Sequence, residues 1–170
     1  MKTEMGIRKI LIVFFVIVPV SLKAEDNNRL FHVERSKNKN IVCYDVNIVD
    51  HKIDRASPLN VYWINNEERP GERNSLSYIQ NKMAFGYKLI STNDQFVEIS
   101  INACPERIIK IDRNDDVFRS TVSIQNRVAR LTKIYVKTDA NNSLKVEYVE
   151  LTGEACESGE IVAEKIFNKQ

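Results

Sequence analysis

From Leu30 onward, apolar and polar residues alternate with a period of two, in runs rich in Val, Ile, Tyr and Thr that Asn, Asp, Pro or Gly interrupt about every ten residues. This is the period of a half-buried strand. Phe96–Asn102 places Val97, Ile99 and Ile101 on one face and Glu98, Ser100 and Asn102 on the other, and Phe118–Ile124 offers Phe118, Val122 and Ile124 against Arg119, Thr121 and Ser123. One buried and one wet face imply antiparallel neighbours. The same pattern predicts strands over 30–35, 41–49, 59–65, 87–91, 107–112, 129–138, 144–152 and 160–167. In two of these the alternation slips, with Leu131 and Ile134, then Val146 and Val149, on opposite faces, so those strands are either bulged or buried on both sides.

One segment departs from the period. Leu76, Ile79 and Met83 recur at helical spacing, Asn74 and Ser75 can cap a helix start, and Gly86 suits the position after its end, which predicts a helix over 75–85 with those three residues as its buried stripe. Pro70 and Gly71 mark the strongest loop signal in the chain. The expected fold is therefore all-β: a single antiparallel barrel or sandwich of about ten strands with one helix, the alternation leaving open which of the two.

The N-terminal stretch has a different character. Residues 5–24, MGIRKILIVFFVIVPVSLKA, run from basic residues through an apolar stretch, Ile10–Val20, to a polar step ending in Ala24. That is the pattern of a cleavable secretory signal peptide, and the apolar run is far shorter than the roughly 20 residues of a membrane span. Residues 1–24 are accordingly read as the signal and 25–170 as one domain that is periplasmic or extracellular, with no membrane span after cleavage. Because residues 1–24 carry +3 of the chain's formal charge of +2, the remainder is at −1. A near-neutral domain lacks the surplus of Lys and Arg that nucleic-acid backbones require, so no nucleic acid is expected as a partner.

Export also bears on the three cysteines, Cys43, Cys104 and Cys156. Cys43 lies mid-strand, with Asp45 and Asn47 on its face and Tyr44, Val46 and Ile48 opposite, and reads as a buried, inert thiol. Cys104 precedes Pro105 at a strand end and Cys156 lies in the turn-like Gly153–Gly159, so a Cys104–Cys156 disulfide is expected in an oxidising compartment. The cysteine spacings match no metal motif and the only histidines are His32 and His51, so neither metal nor cofactor is expected. There is no Gly-x-Ser-x-Gly elbow and no phosphate-binding glycine loop, and Glu34, Asp45, Glu98, Glu147, Glu150 and Glu164 are scattered over separate strands. No catalytic residue is assigned.

Two polar or aromatic groupings stand out. Glu34–Asn40 sets Arg35, Lys37 and Lys39 beside Ser36, Asn38 and Asn40, a composition suited either to holding an anion or to a solvated hairpin. Val61–Ile64 holds the only tryptophan, Trp63, next to Tyr62 on the other face. Together, FHVERSKNKNIVCYDVN (31–47), VYWI (61–64), LSYIQNKMAFGYK (76–88) and VEYVEL (146–151) resemble a secreted family known only as domain of unknown function 4833, over about Leu30 to Ile166. The resemblance implies one intact exported domain and brings no activity with it. Within its motifs, Arg35, Asn38, Trp63, Gln80, Lys82 and Tyr87 are the cations, amides and rings that a β fold does not itself require, and they are expected to converge as a ligand-binding surface. The expected function is non-catalytic binding of a polar or amphiphilic small molecule, or of an envelope partner, in a cleft beside the 75–85 helix. An envelope hydrolase using a carboxylate pair and a purely structural envelope protein are the alternatives.

Overall fold

The computed structural model describes residues 28–114, 116–142 and 145–167. The expected signal peptide lies outside them. The chain is mostly β with one short helix. Strands β1 (Arg29–Arg35) and β2 (Asn38–Val46) form a hairpin, β3 (Ile48–Val49) and β4 (Lys52–Ile53) a small separate ribbon, and β5 (Leu59–Ile64) pairs with β6 (Arg73–Ser75). After the helical segment follow β7 (Tyr87–Thr92), β8 (Phe96–Ile101), β9 (Cys104–Asn114), β10 (Val117–Ile124), β11 (Arg127–Thr138), β12 (Val146–Ala155) and β13 (Ile161–Phe167).

The long strand β11 organises the main sheet. One of its edges carries β12, which in turn carries β13; on the other edge Arg127–Arg130 pair with β10 and Lys133–Val136 with β1. Two arms, β1-β2-β5-β6 and β10-β9-β8-β7, thus leave the same edge of one strand. Right-handed strand twist rotates such arms out of a common plane, and the sheet curls into a half-barrel. The β1–β11 pairing is parallel, against the uniformly antiparallel expectation. No hairpin joins these two strands, which lie almost the whole domain apart in sequence, so nothing local imposes opposite directions on them. A register shift between Leu131 and Lys133 brings Leu131 and Ile134, both fully buried, to the same side, which settles that strand as bulged.

Phe31, Val33, Val42 and Tyr44 from one arm join Val97, Ile99, Ile101, Ile109 and Ile111 from the other in a single apolar core with Leu131, Ile134 and Leu151. Phe31 and Tyr44 stack at 4.4 Å with an interplanar angle of 15°. The arms also touch beyond the core: the Leu59 N–H donates to the Tyr87 hydroxyl at 3.4 Å, and that hydroxyl lies 3.5 Å from the Leu59 carbonyl oxygen.

The linker between the arms differs from the expected three-turn helix. Ser75 is taken by β6, where it pairs with Tyr62. The helix α1 is a single turn, Tyr78–Gln80, capped by Ser77: the Ser77 side chain accepts from the Gln80 N–H at 3.3 Å, and the Gln80 side chain accepts from the Ser77 N–H at 2.8 Å. A wider π-type turn, Asn81–Phe85, follows, closed by the Gly86 N–H donating to the Asn81 carbonyl at 2.8 Å. That five-residue bond adds a residue per turn and shifts the phase of every later side chain. The expected stripe holds in part only. Leu76 packs against the core, but Ile79 is 71% exposed and Phe85, at 4%, is the residue that enters the interior; the Met83 side chain lies outside what is described. Gly86 is not left-handed, its φ being −68°; it is needed because a Cβ there would overlap Asn81.

Candidate functional site

Phe85 is the point at which two of the six sequence-selected residues, Arg35 and Trp63, meet. Its carbonyl accepts a 2.7 Å hydrogen bond from the Tyr44 hydroxyl in the core, which fixes the end of the π turn. The Trp63 ring meets the Phe85 ring edge-on, 5.0 Å between centroids at 76°, and the Arg35 guanidinium lies over the same ring at 5.7 Å. Alternation explains the arrangement: Arg35 continues the inward face of Phe31 and Val33, and Trp63 that of Leu59 and Val61. Asn38 stands opposite Arg35 across the two-residue hairpin turn. The tip of that hairpin is fastened to β11, with the Ser36 N–H donating to the Val136 carbonyl and the Thr138 N–H to the Ser36 hydroxyl, each at 3.1 Å.

The polar chemistry here is incomplete within the protein. Burial lowers the pKa of Arg35, and no carboxylate among the described residues lies in ion-pair contact with it. Trp63 Nε1 and Asn38 Oδ1 are both buried without a hydrogen-bond partner. A buried donor or acceptor left unpaired costs about 1–3 kcal/mol, so these two groups, one on the ring that meets Phe85 and one across the hairpin from Arg35, are a standing cost.

The other three expected residues divide. Gln80 and Lys82 lie on the segment that delivers Phe85, but the Gln80 side chain is engaged in the capping box and the exposed Lys82 ammonium sits over the Tyr78 ring at 5.7 Å. Tyr87 turns toward Leu59, four residues from Trp63 on β5 and so about 13 Å along the strand. It joins the arms rather than the Phe85 cluster. Phe85 itself was not among the expected site residues; its position directly before a glycine that must be small is the signal that would have marked it.

A second polar cluster lies on the outward face of the same arm. Tyr62 donates to Asp45 Oδ2 at 2.6 Å and accepts from Arg29 Nη2 at 2.7 Å, Arg29 Nε pairs with Asp45 Oδ1, and the Arg73 guanidinium covers the Tyr62 ring at 5.0 Å. Burial first, then Asp45, pushes the Tyr62 hydroxyl up to about 12. Cation, acid and phenol satisfy one another here. Four of the remaining strand carboxylates are also engaged, Glu34 by Lys133, Glu150 by Lys165, Glu164 by Arg107 and Glu98 by the Ser91 hydroxyl, while Glu147 is exposed on β12. His32 Nε2 lies 3.2 Å from Glu34 Oε1, and no group of three or more potential metal ligands forms among the described residues.

The cysteines correct one expectation. Cys104 and Cys156 are not bridged; all three thiols are free. Cys104 opens β9 with its side chain in the core, whereas Cys156 lies exposed in the β12–β13 turn, so the two point into different surroundings. Cys43 is buried as expected, and burial raises both its thiol and that of Cys104 to about 11.

A cavity of about 190 Å³, lined by none of these residues, opens between the β3–β4 ribbon, the Asn93–Gln95 turn and the β9–β10 hairpin. His51, Lys52, Arg55 and Arg113 line it together with Phe96 and Phe118. Arg113 donates to the His51 carbonyl at 3.1 Å and to Asp116 Oδ1 at 2.5 Å, with its guanidinium over the Phe118 ring at 5.7 Å. Arg55 pairs with Asp94. No motif in the sequence announced this grouping, because its residues come from three separate loops.

Compared with known families, residues 31–165 match the family described as domain of unknown function DUF4833. The chain belongs to that family. No curated protein and no solved structure matches it.

Proposed function

We infer that this member of the DUF4833 family is an exported, non-catalytic β domain that binds a polar or amphiphilic small molecule, or a component of the cell envelope, at the end of the half-barrel covered by the 78–85 segment. The observation that carries the reading is the donor and acceptor imbalance around Phe85: a desolvated Arg35, an unpartnered Trp63 Nε1 and an unpartnered Asn38 Oδ1. A ligand with an anionic or acceptor-rich group and a neighbouring donor would complete all three, with Phe85 and Trp63 as its apolar wall. Lys82 and Gln80 would form the rim. The engaged carboxylates favour this reading over hydrolysis, which needs two acids free to act on one substrate.

The test is native mass spectrometry of the protein isolated from its own envelope, followed by titration of the recovered compound against the fluorescence of Trp63, the single tryptophan. A co-purifying mass that shifts Trp63 emission in the parent and not in Arg35→Gln is the expected result. A protein that carries nothing, or a bound compound indifferent to Arg35→Gln, overturns the reading. Cleavage after Ala24 is part of the same proposal, and N-terminal sequencing of the exported form should start at Glu25.

A further inference from the structure

We propose that the cavity at the β3–β4 end is a second binding site, specific for a small carboxylate carried on a flat apolar body. Three lines of observation converge on it, and none depends on the Phe85 site. The first is charge. Lys52, Arg55 and Arg113 line the cavity against the acids Asp94, in its lining, and Asp116, bonded to Arg113, which leaves one positive charge, that of Lys52, on a domain that is otherwise close to neutral. The second is organisation. Arg113 is held on both sides by Asp116 and the His51 carbonyl, and Arg55 is held by Asp94, so two cationic forks stand in place before any ligand arrives. The Lys52 ammonium, in contrast, has no partner among the described residues and is free to engage an incoming anion.

The third line concerns shape and backbone. Phe96 and Phe118 give the cavity ring surfaces, and its 190 Å³ equals the share of on the order of six water molecules, enough for one ring and its carboxylate but not for an oligomer. His51 lines the cavity from a left-handed backbone, φ 61°, next to Asp50 at φ 49°, and Asp116 on the facing hairpin has φ 65°. Glycine or asparagine would occupy such positions at lower cost. Gln125 and Asn126 share this conformation in the β10–β11 turn, so strain by itself marks nothing; here it coincides with charge, rings and open volume. An arginine fork matches the planar, two-oxygen geometry of a carboxylate, and the rings favour a flat body beside it.

The test uses the ¹⁵N-labelled mature protein, titrated separately with benzoate, with inorganic phosphate as charge without a ring, and with benzyl alcohol as a ring without charge. Benzoate should shift the amides of Lys52, Arg55, Phe96 and Phe118 saturably, and bind about tenfold more tightly than either control, phosphate lacking the buried ring and benzyl alcohol the charge-assisted hydrogen bond. Lys52→Ala should weaken benzoate several-fold at unchanged Tm. His51→Asn, whose side chain tolerates the left-handed turn, should weaken it with Tm unchanged or raised. Arg35→Gln should leave benzoate binding untouched, which separates this site from the one at Phe85. Equal affinity for phosphate and benzoate, benzoate shifts centred elsewhere, or full affinity in both cavity variants would overturn the proposal.

Discussion

Gly86→Ala probes the segment on which the proposed site depends. An added Cβ would lie 2.9 Å from the Asn81 carbonyl carbon and overlap both Asn81 oxygens, one of them backbone and unable to swing aside. The backbone dihedral is not the obstacle, since φ of −68° is ordinary for alanine. To admit the methyl, the 2.8 Å bond from Gly86 N–H to the Asn81 carbonyl must open, and that same carbonyl and the one at Lys82 are held at 3.0 Å by the Asn102 side-chain amide. Phe85 must then shift from the core. Loss of one hydrogen bond costs about 0.5–1.5 kcal/mol, and partial exposure of a ring worth about 1.5–3 kcal/mol when fully buried adds about one more. The expected loss is about 1.5–2.5 kcal/mol, read in urea as a lower midpoint at unchanged slope. Trp63 emission should also change in the native state, because the ring at its edge has moved. A variant within about 0.5 kcal/mol of the parent, the range of ordinary surface changes, would refute the placement of the π turn. Gly71→Ala is the useful contrast: nothing lies within 4 Å of that position, and only its φ of +89° opposes a side chain, so a loss of about 1–2 kcal/mol with Trp63 unaffected is expected.

Tyr44→Phe keeps the volume and deletes the donor to the buried Phe85 carbonyl, so it should cost about 1–3 kcal/mol in the same urea assay; a neutral result would mean that the 2.7 Å bond carries no weight. Iodoacetamide should label only Cys156 in the native protein, with Cys43 and Cys104 reacting after denaturation, and recovery of a Cys104–Cys156 peptide would contradict the free thiols. Burial raises the Cys43 and Cys104 thiols from an ordinary 9.0 to about 11, so the native state retains protons that the unfolded chain releases. That contribution is complete below pH 9 and is lost as pH rises through 11, so Tm should fall across this window, and less steeply in Cys43→Ala; a Tm independent of pH there would count against both burials.

The strands were legible because alternation is a local property: each strand read from the period of two reappears, from β1 to β13, within a few residues of its expected limits. What escaped was short or non-local. The strands β4 and β6 span two and three residues, too few to show a period. The parallel meeting of β1 and β11 depends on how the two arms leave β11, which no segment encodes on its own. The helix was overdrawn because Leu76, Ile79 and Met83 satisfy a helical spacing that β6 pairing interrupts on one side and the π turn on the other. For the site, residue chemistry was informative where side chains reach the interior face: Arg35 and Trp63 meet on Phe85, with Asn38 across the hairpin from Arg35, and the apolar residue between them could not be chosen on polarity. Tyr87 shows the converse, a phenol near in sequence whose hydroxyl is committed to joining the two arms.

The two arginines at the ends of β1 sharpen the case for a ligand. Arg29 and Arg35 are carried by one strand and both are half-buried, yet among the described residues only Arg29 has an acid and a phenol to meet it. Folding alone accounts for Arg29, since without it Asp45, 7% exposed, would be a buried carboxylate deprived of its cation. Arg35 has no such obligation and gains only a ring contact worth about 0.5–1 kcal/mol against the cost of its own desolvation. Arg29→Gln should therefore destabilise the fold by about 2–3 kcal/mol, below the full cost of breaking a buried pair because the arginine side chain remains 24% exposed. Arg35→Gln should leave stability within about 0.5 kcal/mol of the parent or raise it, while removing the response of Trp63 to its ligand. The pair of denaturation curves decides between the two accounts: if Arg35→Gln loses as much stability as Arg29→Gln, Arg35 is a structural residue and the Phe85 cluster needs no ligand to explain it.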